Sequence, residues 1–207
     1  MSPAQRVRVA LVAACVGGAL LGVVAKLADL SAVTGLADLG TYLGLWVLLA
    51  TLIAAWSPTA WVAAIRVGIC MLAMVTAYYA VTWWRLGVFP VRYYLAWSGV
   101  AVFVAPPFAL LASRSRQQGW LPAIAAALPI GLLLAEAYSF RWGLPRYLAQ
   151  VVFDLAAASL LLLVLPQTGA QRVRVAVLIL PAGLVAIGLQ RALPWMLGLL
   201  YRVGLRM

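Results

Sequence analysis

Apolar residues along this chain come in long unbroken runs. They lack both the period-two alternation of a half-buried strand and the three-to-four spacing of a helix on a soluble core. Arginines, prolines and short polar turns separate the runs. An apolar run of about 20 residues is the length that crosses a bilayer as a helix. Seven such segments are expected, at about 7–29, 39–56, 60–84, 92–113, 119–139, 147–165 and 173–190. The second closes on the turn Trp56-Ser57-Pro58-Thr59. In the tail, 191–207, the apolar stretch 192–201 is too short to span alone. It is expected to extend the seventh helix past a kink or to lie along the interface. The expected fold class is therefore all-α: a polytopic transmembrane helical bundle of about seven helices (six to eight), with residues 1–207 as a single domain.

Composition strengthens this reading. Of 207 residues, 67% are hydrophobic and only 9% charged, where a soluble domain carries roughly 25% charged residues. A fold of this size has too little interior to hide so much apolar surface, so lipid must cover it. The formal charge of +11 comes almost wholly from arginine, Lys26 being the sole lysine. Because the arginines sit between apolar runs, the expected partner is a bilayer with anionic headgroups, and no nucleic acid. The first run follows Arg6 and Arg8 as in a signal peptide, but no clear A-x-A site precedes Lys26, so an uncleaved first span is expected. Cys15 and Cys70 both lie inside apolar runs and suggest no disulfide framework.

Loop charges set the expected orientation. With the N-terminus inside, Arg6, Arg8, Arg66, Arg114, Arg116, Arg172 and Arg174 fall on the cytoplasmic side. Lys26, Arg85, Arg92, Arg141 and Arg146 fall outside, and the tail would add Arg191, Arg202 and Arg206. The totals are nearly balanced. The three Arg-x-Arg pairs are all on one side, which favours a multi-pass protein of the cell membrane with a cytoplasmic N-terminus. The heptapeptide Ala4-Gln5-Arg6-Val7-Arg8-Val9-Ala10 recurs letter for letter at Ala170–Ala176. It reads as a shared interfacial anchor in preference to a remnant duplication.

Several chemistries are excluded. The chain has no histidine, which removes histidine-ligated haem or zinc and Ser-His catalysis. No phosphate-binding loop or dinucleotide fingerprint is present. No catalytic residue and no cofactor is expected, and an enzyme is the less favoured class.

Charges inside spans cost several kcal/mol, roughly 2.5–3.5 on insertion scales, and turn toward the bundle interior. Glu136 lies near the end of the fifth segment and Asp154 about two turns into the sixth; Lys26 and Arg141 are expected at a similar depth. Tyr147, Gln150 and Asp154 share one helix face at i, i+3 and i+7. With Tyr78 and Trp84 as aromatic walls, Glu136, Asp154, Lys26, Arg141 and Gln150 are the candidate ligand contacts. Structural ion pairs beneath an ordinary aromatic belt would produce the same pattern. Ala10, Ala14, Gly18 and Gly22 form an i, i+4 row on the first segment, the small-residue surface that lets a second helix approach closely. Pro106-Pro107, Pro129 and Pro181 are expected to interrupt their helices.

The stretches Gly18–Lys26 (GALLGVVAK), Tyr78-Tyr79 and Gly131–Ala137 (GLLLAEA) resemble those of small polytopic bacterial membrane proteins classed only as a domain of unknown function. That resemblance implies a membrane bundle and no catalytic residues. The architecture is also similar to the substrate-binding membrane subunits of energy-coupling-factor transporters, which have six helices and take ligands from the outer side. Two functions are therefore expected. One is binding, or helping to transport, a small molecule of anionic or aromatic character from the outer side. The other is a non-catalytic accessory role among other membrane subunits.

Overall fold

The computed structural model describes residues 3–31 and 42–204, with side chains at 5, 7–31 and 42–191. Among the described residues, seven helices follow in order: α1 (Pro3–Asp29), α2 (Leu43–Ala55), α3 (Ala60–Leu86), α4 (Val91–Ala112), α5 (Trp120–Ser139), α6 (Leu144–Val164) and α7 (Gly169–Gly204). A 3-10 turn, Arg141–Gly143, joins α5 to α6. Six of these helices are long and apolar enough to cross a membrane. The chain is a membrane-spanning, all-helical protein.

The remaining helix, α2, has 13 residues, which at 1.5 Å each gives roughly 20 Å against a hydrocarbon core of about 30 Å. The sequence suggests a full span from about residue 39. Instead Tyr42 takes extended dihedrals, φ −83° and ψ 162°, and the helix begins at Leu43; residues 39–41 lie outside the described residues. The other end of α2 reaches the Trp56-Ser57 turn at the arginine-rich end of the bundle. Its N-terminus therefore stops inside the bundle.

The helix α5 is central, packing on α2, α4, α6 and α7. Small side chains permit this: Ala123, Ala126, Ala127 and Ala135 are buried. A Cβ at Gly131 would lie 2.8 Å from Ala182 and from the Gly183 nitrogen, so α5 and α7 cross almost backbone to backbone. The row on α1 does the same against α3. A Cβ on Gly18 would run into the Cys70 carbonyl, and one on Gly22 into that of Met74. Ala10 and Ala14, earlier in the row, are half-buried. The opposite face of α1, with Val12, Val16, Leu20 and Val24, is exposed and faces lipid.

The prolines act locally. Pro106 and Pro107 lack N–H donors and crowd the preceding turn. The ladder just before them widens into a π-turn, Val100–Val104, where Ala105 N–H reaches back to Val100 O. Pro129 is accommodated within α5. The last helix runs unbroken to Gly204, so residues 191–204 extend the seventh helix. Both copies of the repeated heptapeptide open peripheral helices: α1 packs chiefly on α3 and α7 on α5. Position by position the copies differ: Gln5 and Val9 are exposed, while their counterparts Gln171 and Val175 are buried.

Candidate functional site

The N-terminus of α2 meets two carboxyl groups. Glu136, three residues before the end of α5, accepts the Leu43 N–H at Oε1, 2.7 Å. Asp154, in mid-α6, accepts from Gln150 Nε2 at 2.9 Å, the i, i+4 spacing putting both on one face. Gly44 sits where the three converge. A Cβ there would overlap Asp154 Oδ1 and stand 3.1 Å from both Gln150 Nε2 and Glu136 Oε2. The missing side chain is what lets α2 approach both carboxyl groups. Helix N-termini carry unsatisfied N–H groups and a partial positive charge, so the half-length helix directs its positive end at the acids.

Burial is nearly complete. Asp154 is 0% exposed, Gln150 2% and Glu136 6%. Asp154 Oδ2 and Gln150 Oε1 have no hydrogen-bond partner. Buried polar atoms are nearly always paired, by protein, water or ligand, so two free acceptors side by side mark a place where a donor fits. Three rings stand beside this group: Tyr42 and Phe140 at 4.6 Å between centroids, Phe140 and Tyr147 at 4.7 Å, Tyr42 and Tyr147 at 6.1 Å. Tyr147 departs from helical dihedrals (φ −105°, ψ 17°) near the start of α6.

One turn along α5 and α2, away from those rings, lies an apolar chamber of about 210 Å³. Leu43, Trp46, Val47 and Leu132 line it on the acid side, and Trp97, Val100 and Ala101 across from them. The π-turn thus forms part of the wall, and π-bulges recur at functional sites. Trp46 and Trp97 stack at 5.5 Å with an interplanar angle of 23°.

The structure divides the expected polar cluster. Glu136, Asp154 and Gln150 come together. Lys26 does not join them. It donates to Asp29 at 2.6 Å and lies 4.8 Å from the Tyr78 ring centroid, while Tyr78 Oη donates to the same Asp29 oxygen at 2.7 Å. The reason is topological, because α1 leans on α3 while the acids belong to the α2–α5–α6 group. Arg141 is held at the surface, donating to Tyr138 O at 2.7 Å and stacking on the rings of Tyr138 and Trp142. Trp84, 75% exposed, stacks with Arg85 on the bundle exterior and does not line the chamber. Sequence reasoning missed Tyr42, Leu43, Gly44 and Phe140. Only a glycine near the start of an apolar run hinted at one of them.

Gly44→Ala tests the convergence. Its Cβ would meet side-chain tips, which can swing aside, so the fold is expected to survive with a cost of about 1–2 kcal/mol. The Gln150–Asp154 bond is expected to break. An unfolding midpoint and any site occupancy both unchanged from wild type would contradict this arrangement.

Six helices long and apolar enough to cross a membrane define a polytopic integral membrane protein. The chain belongs to a family of unknown function, DUF6518, whose model matches residues 1–195. No curated protein and no solved structure matches it, so the architectural likeness to energy-coupling-factor subunits gains no support.

Proposed function

We propose that the protein binds a small molecule within the bundle and helps move it across the cell membrane. The observation that carries this reading is the buried pair Glu136 and Asp154 at the N-terminus of the short helix α2, with Asp154 Oδ2 and the neighbouring Gln150 Oε1 unpartnered. A helix end buried among other helices can offer its free backbone groups to a substrate or ion. Ionisable groups are costly there and persist at functional sites. In this reading the arginine end, with Arg8, Arg66, Arg114, Arg116, Arg172 and Arg174, meets anionic headgroups at the cytoplasmic face. The ligand then arrives from the opposite, outer end.

The accessory-subunit reading loses its main support, since Gly18 and Gly22 are used within the chain against α3. An anionic ligand is also disfavoured, because the basic residues expected to hold it are engaged elsewhere and the assembled site is acidic.

Native mass spectrometry of protein released gently from its own membrane tests the proposal. A reproducible small added mass is expected on the wild type and is expected to disappear from E136Q D154N, a pair of near-isosteric changes that preserves packing. Persistence of the same adduct on the double variant would defeat the proposal, as would co-purifying subunits with no adduct.

A further inference from the structure

We infer that the ligand is a small aromatic ammonium ion, its nitrogen held between Glu136 and Asp154 and its ring in the adjoining chamber, and that it enters in exchange for a proton carried by the carboxyl pair. This rests on the binding reading above and names the ligand class of that same site.

Charge balance comes first. The hydrogen bonds at the two carboxyl groups come from the Leu43 and Gly44 N–H groups and from Gln150 Nε2, all neutral donors. The cations on the surrounding elements are turned away. Arg141 lies on Tyr138 and Trp142, Arg146 lies over Tyr147 at 5.3 Å, and Arg191 of α7 is exposed. On the sides of α2 and α4 that line the chamber there is no charged group. Lys26 is bound to Asp29. Among the described residues no cation pairs with the two carboxyl groups, and two buried negative charges left so would be prohibitively costly. The pair must hold a proton when empty or a cation when occupied.

Donor count and shape then select the cation. The free acceptors are Asp154 Oδ2 and Gln150 Oε1, and an ammonium group offers three N–H donors. Among the described residues no group of three or more metal-ligating side chains exists, which points to an organic cation over a metal ion. The chamber adjoins this group through Leu43, although neither carboxyl group nor Gln150 lines it. Leu43 gives its N–H to Glu136 and lines the chamber, and Leu132 stands one turn before Glu136. At about 210 Å³ it exceeds the roughly 150 Å³ cavity known to admit benzene, which suits one ring, and Trp46 and Trp97 supply aromatic faces. The rings of Tyr42, Phe140 and Tyr147 offer faces of the kind that attract cations.

The exchange balances simply. One monocation settles between the carboxyl groups, one O–H bond breaks, and the released proton passes to water, leaving the charge of the site unchanged. No covalent bond to the ligand forms.

Calorimetry on the full-length protein in nanodiscs, with 2-phenylethylamine as probe and phenylacetate as the same ring with opposite charge, reads this directly. The amine is expected to bind at least roughly tenfold more tightly than the acid. It is expected to release about one proton per molecule, read from buffers of different ionisation enthalpy, and to gain affinity as pH rises toward neutrality. E136Q D154N should lose the binding at least roughly tenfold, and Trp97→Leu should weaken it while proton release persists. Phenylacetate binding as well as the amine, no amine binding, binding without proton release, or full amine affinity in a folded E136Q D154N would each overturn the inference. A neutral or anionic adduct lost from E136Q D154N in the mass-spectrometric experiment would overturn it while leaving the binding function intact.

Discussion

Gly22→Leu is expected to separate α1 from α3 and to destabilise the protein more than substitutions in the polar site do. Overpacking a well-filled interior usually costs about 1–3 kcal/mol. At Gly22 the obstacle is the Met74 carbonyl, with the Ala77 Cβ at 3.1 Å. Backbone in a helix cannot rotate out of the way as a side-chain tip can, so a cost at or above about 3 kcal/mol is expected. Gly18→Leu should behave alike, since its Cβ would meet the carbonyl, carbonyl carbon and Cα of Cys70. Cys70 supplies the assay, because it is 3% exposed while Cys15 faces outward. In a Cys15→Ser background, a membrane-permeant maleimide should label Cys70 slowly in the wild type and quickly in Gly22→Leu. Equal labelling rates with an unchanged melting temperature would show that the two helices do not approach as closely as described.

Glu136 should show the second-largest effect, and the replacement chosen should decide its sign. Glu136→Ala removes the acceptor for the Leu43 N–H and strands a backbone donor where lipid and apolar side chains offer no substitute. A hydrogen bond to a charged acceptor contributes about 1.5–3 kcal/mol, and an orphaned buried donor costs a similar amount. Glu136→Gln keeps an oxygen at the same position and removes the charge. Its melting temperature is expected to stay near that of the wild type, with a difference under about 1 kcal/mol, or to rise, because a buried negative charge is gone. Thermal unfolding of both variants in detergent distinguishes the two contributions. If the glutamine variant falls as far as the alanine one, the charge itself holds α2 in place, and the site serves stability before binding.

Much of this architecture was legible in the residue order. Span number and length follow from local runs of apolar side chains, which behave alike wherever they sit in the chain. The helices α3 and α5 begin and end within two residues of the expected 60–84 and 119–139. The left-handed Gly87, φ 68°, closes α3. The Gly18 and Gly22 row announced a close helix contact. Spacing on α6 put Gln150 and Asp154 on one face, and the bond between them follows from that spacing.

The expectation failed where depth and neighbours mattered. Gly40 and Thr41 precede Leu43, but they alone do not fix where α2 begins. Its start, about one turn below the end of α5, meets Glu136, 93 positions away, which accepts the Leu43 N–H. Lys26 and the acids share a plausible depth in the sequence, yet depth along the membrane says nothing of position around it, and α1 packs on α3 instead of α5. Trp84 and Arg141 were drawn toward the site by the same reasoning and lie on the surface.

By itself, then, the sequence determined that this protein spans a membrane as a helical bundle, that four acids and a single lysine are its scarce charges, and which faces of α1 and α6 are unusual. Run length and i, i+4 spacing are properties of one segment, and lipid imposes them on every segment alike. Only the tertiary structure decided which scarce groups meet. It starts α2 beside Glu136, brings Gly44 against Glu136, Gln150 and Asp154, and opens a chamber beside Leu43. Those outcomes depend on how closely distant helices can approach, and that is set by the absence of a Cβ at Gly18, Gly22, Gly44 and Gly131 together, not by any one segment.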